Sequence, residues 1–306
     1  MRASSRTGQL RELLSGFSPD AVLTVAHGYS WVTAARYAEQ IGVPLHLIIH
    51  DDWPRIVAGQ AGVEREFARV YRQAASRLCV SPFMAEEYTR RYGVAGTVLL
   101  PARAPNAATF SGVADRLHNS HGGPVFVFAG TINSPGYAKL LAELAAQLAR
   151  HDGTLRIYGP VTPAQAKASG LTAVNIQLEG WMPSSQLLQH LRSGADVLFV
   201  PMSFADADRW NMRMSFPSKL TDYTTVGLPL LICGPDDCAA VRWAQANPGV
   251  AEVVTSEDAA ALGVAVDRLC GDRDHRIALA CTAQSVGKRD FGAEHAEAIL
   301  HAALVA

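Results

Sequence analysis

Of 306 residues only five are cysteine (Cys79, Cys233, Cys238, Cys270 and Cys281), an odd number with no C-x-x-C spacing. That argues against a disulfide framework and predicts free thiols in a reducing, cytoplasmic compartment. No apolar run approaches the ~18 residues that a membrane span requires. The first six residues carry no apolar core, so no secretory signal is expected. Lys and Arg never run beyond a pair and the formal net charge is −1. Nucleic acid is therefore not expected as a partner. No long basic amphipathic helix stands out, although peripheral membrane association stays open. The histidines show neither H-x-E nor H-E-x-x-H spacing, and no G-x-S-x-G nucleophile elbow is present.

What the chain does have is a regular alternation of short apolar runs and amphipathic stretches. This predicts parallel α/β sheets. Strands are expected at 21–26, 45–49, 77–80 and 97–100, with helices at 7–14, 31–40 and 62–75 and one opening at Val80-Ser81-Pro82. Residues 101–123, rich in Pro, Ala, Asn, Ser and Gly, read as an interdomain linker. A second series has strands at 125–129, 155–158, 174–178, 197–200 and 228–233, and helices at 137–150, 185–193, 218–226, 258–270 and 293–303. The expected division is a Rossmann-like doubly wound domain over 1–112 and a second over 113–285. A helical segment over 286–306 either closes the second or crosses back to the first. Such domains gather ligands at the carboxyl ends of their strands, in the cleft between them.

The densest chemistry lies in Ser215-Phe216-Pro217-Ser218-Lys219-Leu220-Thr221-Asp222-Tyr223, which leads through Gly227-Leu228-Pro229 into an apolar strand. It reads as a helix with Pro217 in its first turn and Ser215 or Ser218 as cap. Free N–H groups and Lys219 would attract phosphate there, and Asp222, three residues on, would share the face of Lys219 and could hold a ribose diol. The plainer reading is a capped surface helix with a Lys–Asp pair. It leaves Phe-Pro-Ser-Lys before a Gly-Leu-Pro turn unexplained.

Here the chain resembles the GT-B glycosyltransferases of family 4, over nearly everything from Asp20 to Ala303. That family carries E-x7-E before a G-x-P turn; the candidate pair here is Ser215 and Asp222, with six residues between them in place of seven. A recurrent variant, F-P-S-K-L-x-[DE]-Y, is matched from Phe216 to Tyr223. The resemblance implies that Asp222 holds the ribose, and that Ser215, Phe216, Pro217 and Ser218 hold the sugar and diphosphate. Phe128-Ala129-Gly130-Thr131 is similar to the family's strand-then-glycine turn facing the phosphates. Leu178-Glu179-Gly180-Trp181-Met182-Pro183 is similar to its segment near the base.

The chain also departs from the pattern. Thr131-Ile132-Asn133-Ser134-Pro135-Gly136 lacks the Arg and Lys that many members place there. Lys219 is expected to substitute, with Arg209 or Arg213. The strands and Gly-rich loop that open the family's N-terminal domain are not recognisable, so an incomplete N-terminal domain is expected. A truncation or misassigned start explains that first; a short enzyme, or one completed by a partner chain, is the alternative.

His50-Asp51-Asp52 ends the strand at 45–49 and is expected to face the cleft; the family often has a histidine at this place, so the resemblance implies that His50 stands close to the reacting sugar. His27 and Asp51 are candidate acceptor or phosphate contacts. Asp206-Ala207-Asp208 spells a D-x-D but is expected in a solvated loop, so no metal is predicted. The whole reads as a retaining, metal-independent glycosyltransferase, moving a hexose-type sugar from a nucleoside-diphosphate sugar to a glycan or lipid-linked acceptor, as in polysaccharide biosynthesis. No cofactor beyond that co-substrate is expected. The alternative is a non-catalytic GT-B homologue acting as a binding subunit; a nucleotide-sugar epimerase would need more cleft carboxylates and histidines.

Overall fold

The apolar runs become the strands of two parallel sheets in the computed structural model, which describes residues 6–57, 62–118 and 122–305. Unit one comprises the chain up to Pro101, the segment Met214–Phe216 and the C-terminal helix from Glu294. Its elements are α1 (Arg6–Leu13), β1 (Val22–Val25), α2 (Ser30–Ile41), β2 (Leu45–Ile49), α3 (Trp53–Ile56), α4 (Val63–Gln73), β3 (Ser76–Cys79), α5 (Pro82–Tyr92) and β4 (Thr97–Val98). The strands pair in the order β1-β2-β3-β4, all parallel. Side chains on α2, α4 and α5 interlock as an aromatic core. Trp31 meets Phe67 at 5.3 Å, Phe67 meets Tyr88 at 5.7 Å and Tyr71 meets Tyr92 at 5.1 Å between ring centroids. Edge and tilted contacts of this kind add to simple burial.

Asp52 departs from its expected place. It lies beside His50 and Asp51 in sequence, yet it is 2% exposed and turns inward. Arg91 donates to both of its oxygens, at 3.1 and 2.6 Å, and the Tyr88 hydroxyl donates at 3.0 Å. A buried carboxylate requires such partners, so Asp52 belongs to the core.

Unit two runs from Ala102 to Arg213 and from Pro217 to Ala293. It contains β5 (Val125–Ala129), α6 (Pro135–Ala149), β6 (Thr154–Tyr158), α7 (Pro163–Ala168), β7 (Ile176–Gly180), α8 (Ser184–Gly194), β8 (Val197–Pro201), α9 (Asp206–Met214), α10 (Lys219–Tyr223), β9 (Leu230–Cys233), α11 (Ala239–Gln245), β10 (Glu252–Val254), α12 (Ala259–Gly271) and α13 (Arg273–Phe291); α14 (Ala293–Val305) follows. Its six strands are parallel in the order β10-β9-β8-β5-β6-β7. Helices cover both faces, so β5, β8 and β9 are buried at every position. That burial is why they read as unbroken apolar runs.

Among its described residues the stretch read as a linker is irregular apart from one 3-10 turn at Asp115–Leu117, but it is not loose. Arg116 grips buried Asp196 with two bonds of 2.9 and 3.0 Å. Asp196 also accepts the Val125 N–H at 2.7 Å, and Arg192 donates to the carbonyls of Gly112, Val113 and Val226. Composition reported the lack of periodicity correctly and could not report these anchors.

Candidate functional site: a cavity at the strand ends of unit two

The carboxyl ends of β5 and β6 open onto a cavity of about 210 Å³. Gly130 and Thr131 follow β5, Gly159 and Pro160 follow β6, and Lys219 and Asp222 project from α10. Trp181 and Met182, after β7, complete one wall, where Trp181 is 73% exposed. The two turns approach so closely that only glycine fits. A Cβ on Gly159 would lie 2.2 Å from the Gly130 carbonyl oxygen, and Gly130 itself has φ +148°. Gly159→Ala is expected to push these turns apart, lower stability by about 1–3 kcal/mol and weaken any ligand of the cavity. Thermal unfolding with a parallel ligand titration checks it.

The helix carrying Lys219 and Asp222 is shorter than expected. It spans five residues, and Ser218 holds the cap position without a side-chain capping bond. Ser218 already has helical dihedrals (φ −57°, ψ −24°), and the Ser215 hydroxyl donates to Asp51 Oδ1 at 2.8 Å. So short a helix gathers little dipole, and the positive charge at this wall rests on Lys219.

What fixes α10 is Tyr223, a residue given no role by sequence reasoning. Its fully buried phenol oxygen accepts the Ala129 N–H at 2.6 Å and donates to the Ala129 carbonyl at 3.3 Å. These bonds join α10 to the end of β5 and set Lys219 and Asp222 against Gly130. The tyrosine of the F-P-S-K-L-x-[DE]-Y pattern carried the signal, but its partner lies 94 residues away.

The Lys219 ammonium stands 4.1 Å from the Phe128 ring centroid and 5.7 Å from that of Tyr137. Burial lowers its pKa to about 7. Asp222 is held above the usual carboxylate range by burial, and Arg103 pulls it part of the way back. Arg103 donates to the carbonyls of Thr221 and Gly287 at 3.4 and 3.5 Å, which places it behind α10. Sequence reasoning did not single out Arg103.

The remaining candidates lie elsewhere. Asp206-Ala207-Asp208 forms the first turn of α9, not a loop. Its polar residues hid a helix whose Met212 packs inward, where the Tyr137 hydroxyl reaches the sulfur at 3.5 Å. Among the described residues no group of three His, Cys, Asp or Glu could hold a metal ion. Arg209 pairs with Asp237 at 3.6 Å and Arg213 stacks over Trp210, so neither lines the cavity. In unit one, His27 and Asp51 lie 3.8 Å apart, the His27 ring is 4.8 Å from Trp53, and His50 is exposed after β2. Among the described residues no helix is long and apolar enough to cross a membrane.

Residues 2–101 match the sequence model of Glycosyltransferase Family 4. Solved structures superimpose on nearly the whole chain. Sucrose-phosphate synthase from Thermosynechococcus elongatus aligns with a TM-score of 0.72 and 17% identity, covering 96% of this chain and 75% of that one. A glycosyltransferase from Rickettsia africae gives 0.73 and 13%, covering 98% and 80%. Anabaena HepE in complex with UDP and glucose gives 0.69 and 15%, covering 99% and 81%. The fold is that of the GT-B glycosyltransferases. No curated protein sequence matches the chain. In this GT-B fold the cavity at β5 and β6 occupies the position at which parallel α/β sheets take up ligands.

Proposed function

We propose that the chain is a glycosyltransferase whose sugar donor, a nucleoside-diphosphate sugar, binds in the cavity of unit two. The observation that carries this reading is the convergence of Lys219, Asp222 and the Gly130–Thr131 turn on one cavity at the strand ends. A lysine supplies charge for a diphosphate, a carboxylate accepts a ribose diol, and a glycine turn lets backbone N–H groups approach phosphate oxygens. Phe216, Pro217 and Ser218 precede these groups and are assigned to the same donor. Structures of HepE with UDP and with UDP-glucose support the class of ligand and make UDP-sugars the first to test.

We assign His27, His50 and Asp51 to the acceptor, a glycan or lipid-linked hydroxyl, with His50 as the catalytic group. Ser215, bonded to Asp51, would then act by holding that carboxylate. Transfer is assigned as retaining and metal-independent. In a front-face reaction the departing phosphate oxygen takes the acceptor proton, so catalysis rests on positioning and charge stabilisation.

The reading is tested by incubating the chain with UDP-, GDP- and ADP-sugars and measuring release of nucleoside diphosphate, with and without sugar acceptors. Release from one donor is expected, and a chelator is expected to leave its rate unchanged. All donors remaining intact, despite binding, would favour a GT-B binding subunit instead.

A further inference from the structure

Lys219 raises a question that its position does not answer. An ammonium withdrawn from water needs a counter-charge, and the cost of lacking one is large enough that the group sheds its proton instead. Lys219 Nζ faces the rings of Phe128 on β5 and Tyr137 on α6, and burial alone acts on its titration. The other titratable groups around it are Tyr158 on β6, and Asp222 and Tyr223 on its own element. Asp208 of α9 lies beside Tyr137, and Arg103 lies beside Asp222. Arg103 acts electrostatically on Asp222, and no carboxylate pairs with Lys219 among the described residues. The aromatic faces return only part of the lost hydration. The open side of this environment is the cavity.

We propose that Lys219 is a proton-coupled anchor for the donor's diphosphate. The amine takes one proton from solvent as the doubly charged pyrophosphate enters and returns it when the anion leaves. The bond formed is N–H on Lys219, and the proton comes from water or buffer, so no other reactant is needed. This inference rests on the donor-site reading above and adds to it that binding consumes a proton. It also means that the cation required by a diphosphate is created by that ligand, so a neutral nucleoside gains nothing from it.

The sign follows from burial. With the free amine titrating at about 7, roughly nine-tenths of the chains carry neutral Lys219 at pH 8 and roughly one-tenth at pH 6. Proton uptake on binding is therefore about 0.9 at pH 8 and about 0.1 at pH 6. Tyr137, Tyr158 and Tyr223 are all pushed above the usual tyrosine value and stay protonated in this window. Asp222 releases a proton, if it carries one, when it accepts a diol, so its linkage has the opposite sign. In the unfolded chain Lys219 titrates at the free-lysine value. The folded state thus binds fewer protons between about 7 and that value, and this residue makes stability rise with pH there.

The test is calorimetric titration of the full chain with UDP-glucose, GDP-mannose and ADP-glucose, at pH 6 and pH 8, in buffers of different ionisation heat. These sugar nucleotides are diesters at the pyrophosphate and titrate no proton of their own near neutrality. For the one that binds, uptake near 0.9 proton at pH 8 and near 0.1 at pH 6 is expected in the wild type. Uptake near zero is expected in Lys219→Arg and Lys219→Met, with affinity about 10- to 100-fold lower in the methionine variant. Binding without proton uptake at pH 8 overturns this inference and leaves the donor site standing, as does uptake that persists in Lys219→Met. Failure of every sugar nucleotide to bind removes the donor-site reading itself. The wild-type counts at the two pH values decide the matter even if a variant fails to fold.

Discussion

Replacing Asp222 by alanine is expected to weaken nucleotide binding by about 2–3 kcal/mol, or about 30- to 150-fold. The carboxylate lines the cavity two positions from buried Leu220 and next to buried Tyr223, so the backbone that presents it is held whether or not the side chain is present. What the substitution removes is a charged acceptor for a diol, and hydrogen bonds to charged groups are the stronger class. Because burial raises Asp222 above the usual carboxylate range, affinity should fall as pH drops through that raised value. Arg103→Gln should move this loss to higher pH, since Arg103 favours the ionised form. Titrations of both variants with the preferred nucleotide across the acid range check the pair. Unchanged affinity in Asp222→Ala would remove Asp222 from the site.

Asp52→Ala is expected to cost about 1–3 kcal/mol of folding stability. It removes both Asp52 bonds from the Arg91 guanidinium, which keeps Glu87 at 3.0 Å, and takes away the acceptor of the buried Tyr88 hydroxyl in the aromatic core. A buried hydroxyl left without its acceptor is costly because its lost hydration is not returned. The contrast is Lys139→Ala, which opens the Lys139–Glu257 pair at 2.5 Å. Both of its side chains are half-exposed and solvent screens the pair, so no measurable loss of stability is expected. Urea unfolding of the two variants separates these cases, and equal effects would contradict the buried network.

The same two aspartates show how far the sequence could be read. That Lys219 and Asp222 share one wall was legible because a three-residue spacing puts them on one helix face. The strands β5, β8 and β9 were legible because burial on both faces leaves an apolar run. Asp52 was misplaced because its partner, Arg91, is 39 residues away, and nothing in His50-Asp51-Asp52 says which carboxylate turns inward. Tyr223 and Arg103 were overlooked for the same reason, since both act through contacts between distant segments.

Short or evenly mixed elements were lost differently. β10 has three residues, and α13 spreads Arg276, Gln284 and Lys288 among Leu279, Ala283 and Val286, so neither shows a clear period. α9 was read as a loop because five of its nine residues are Asp, Arg or Asn. Of the two cap candidates Ser218 holds the cap position without a side-chain bond, and the Ser215 hydroxyl is engaged by Asp51.

The central claim is that unit two binds a nucleoside diphosphate through Lys219 and Asp222. Its most direct test is calorimetric titration of the purified chain with UDP, GDP and ADP in the absence of metal, repeated on Asp222→Ala. Saturable binding of one nucleotide, weakened about 30-fold or more in the variant, is the predicted result. Binding of none, or equal binding by both proteins, would contradict it.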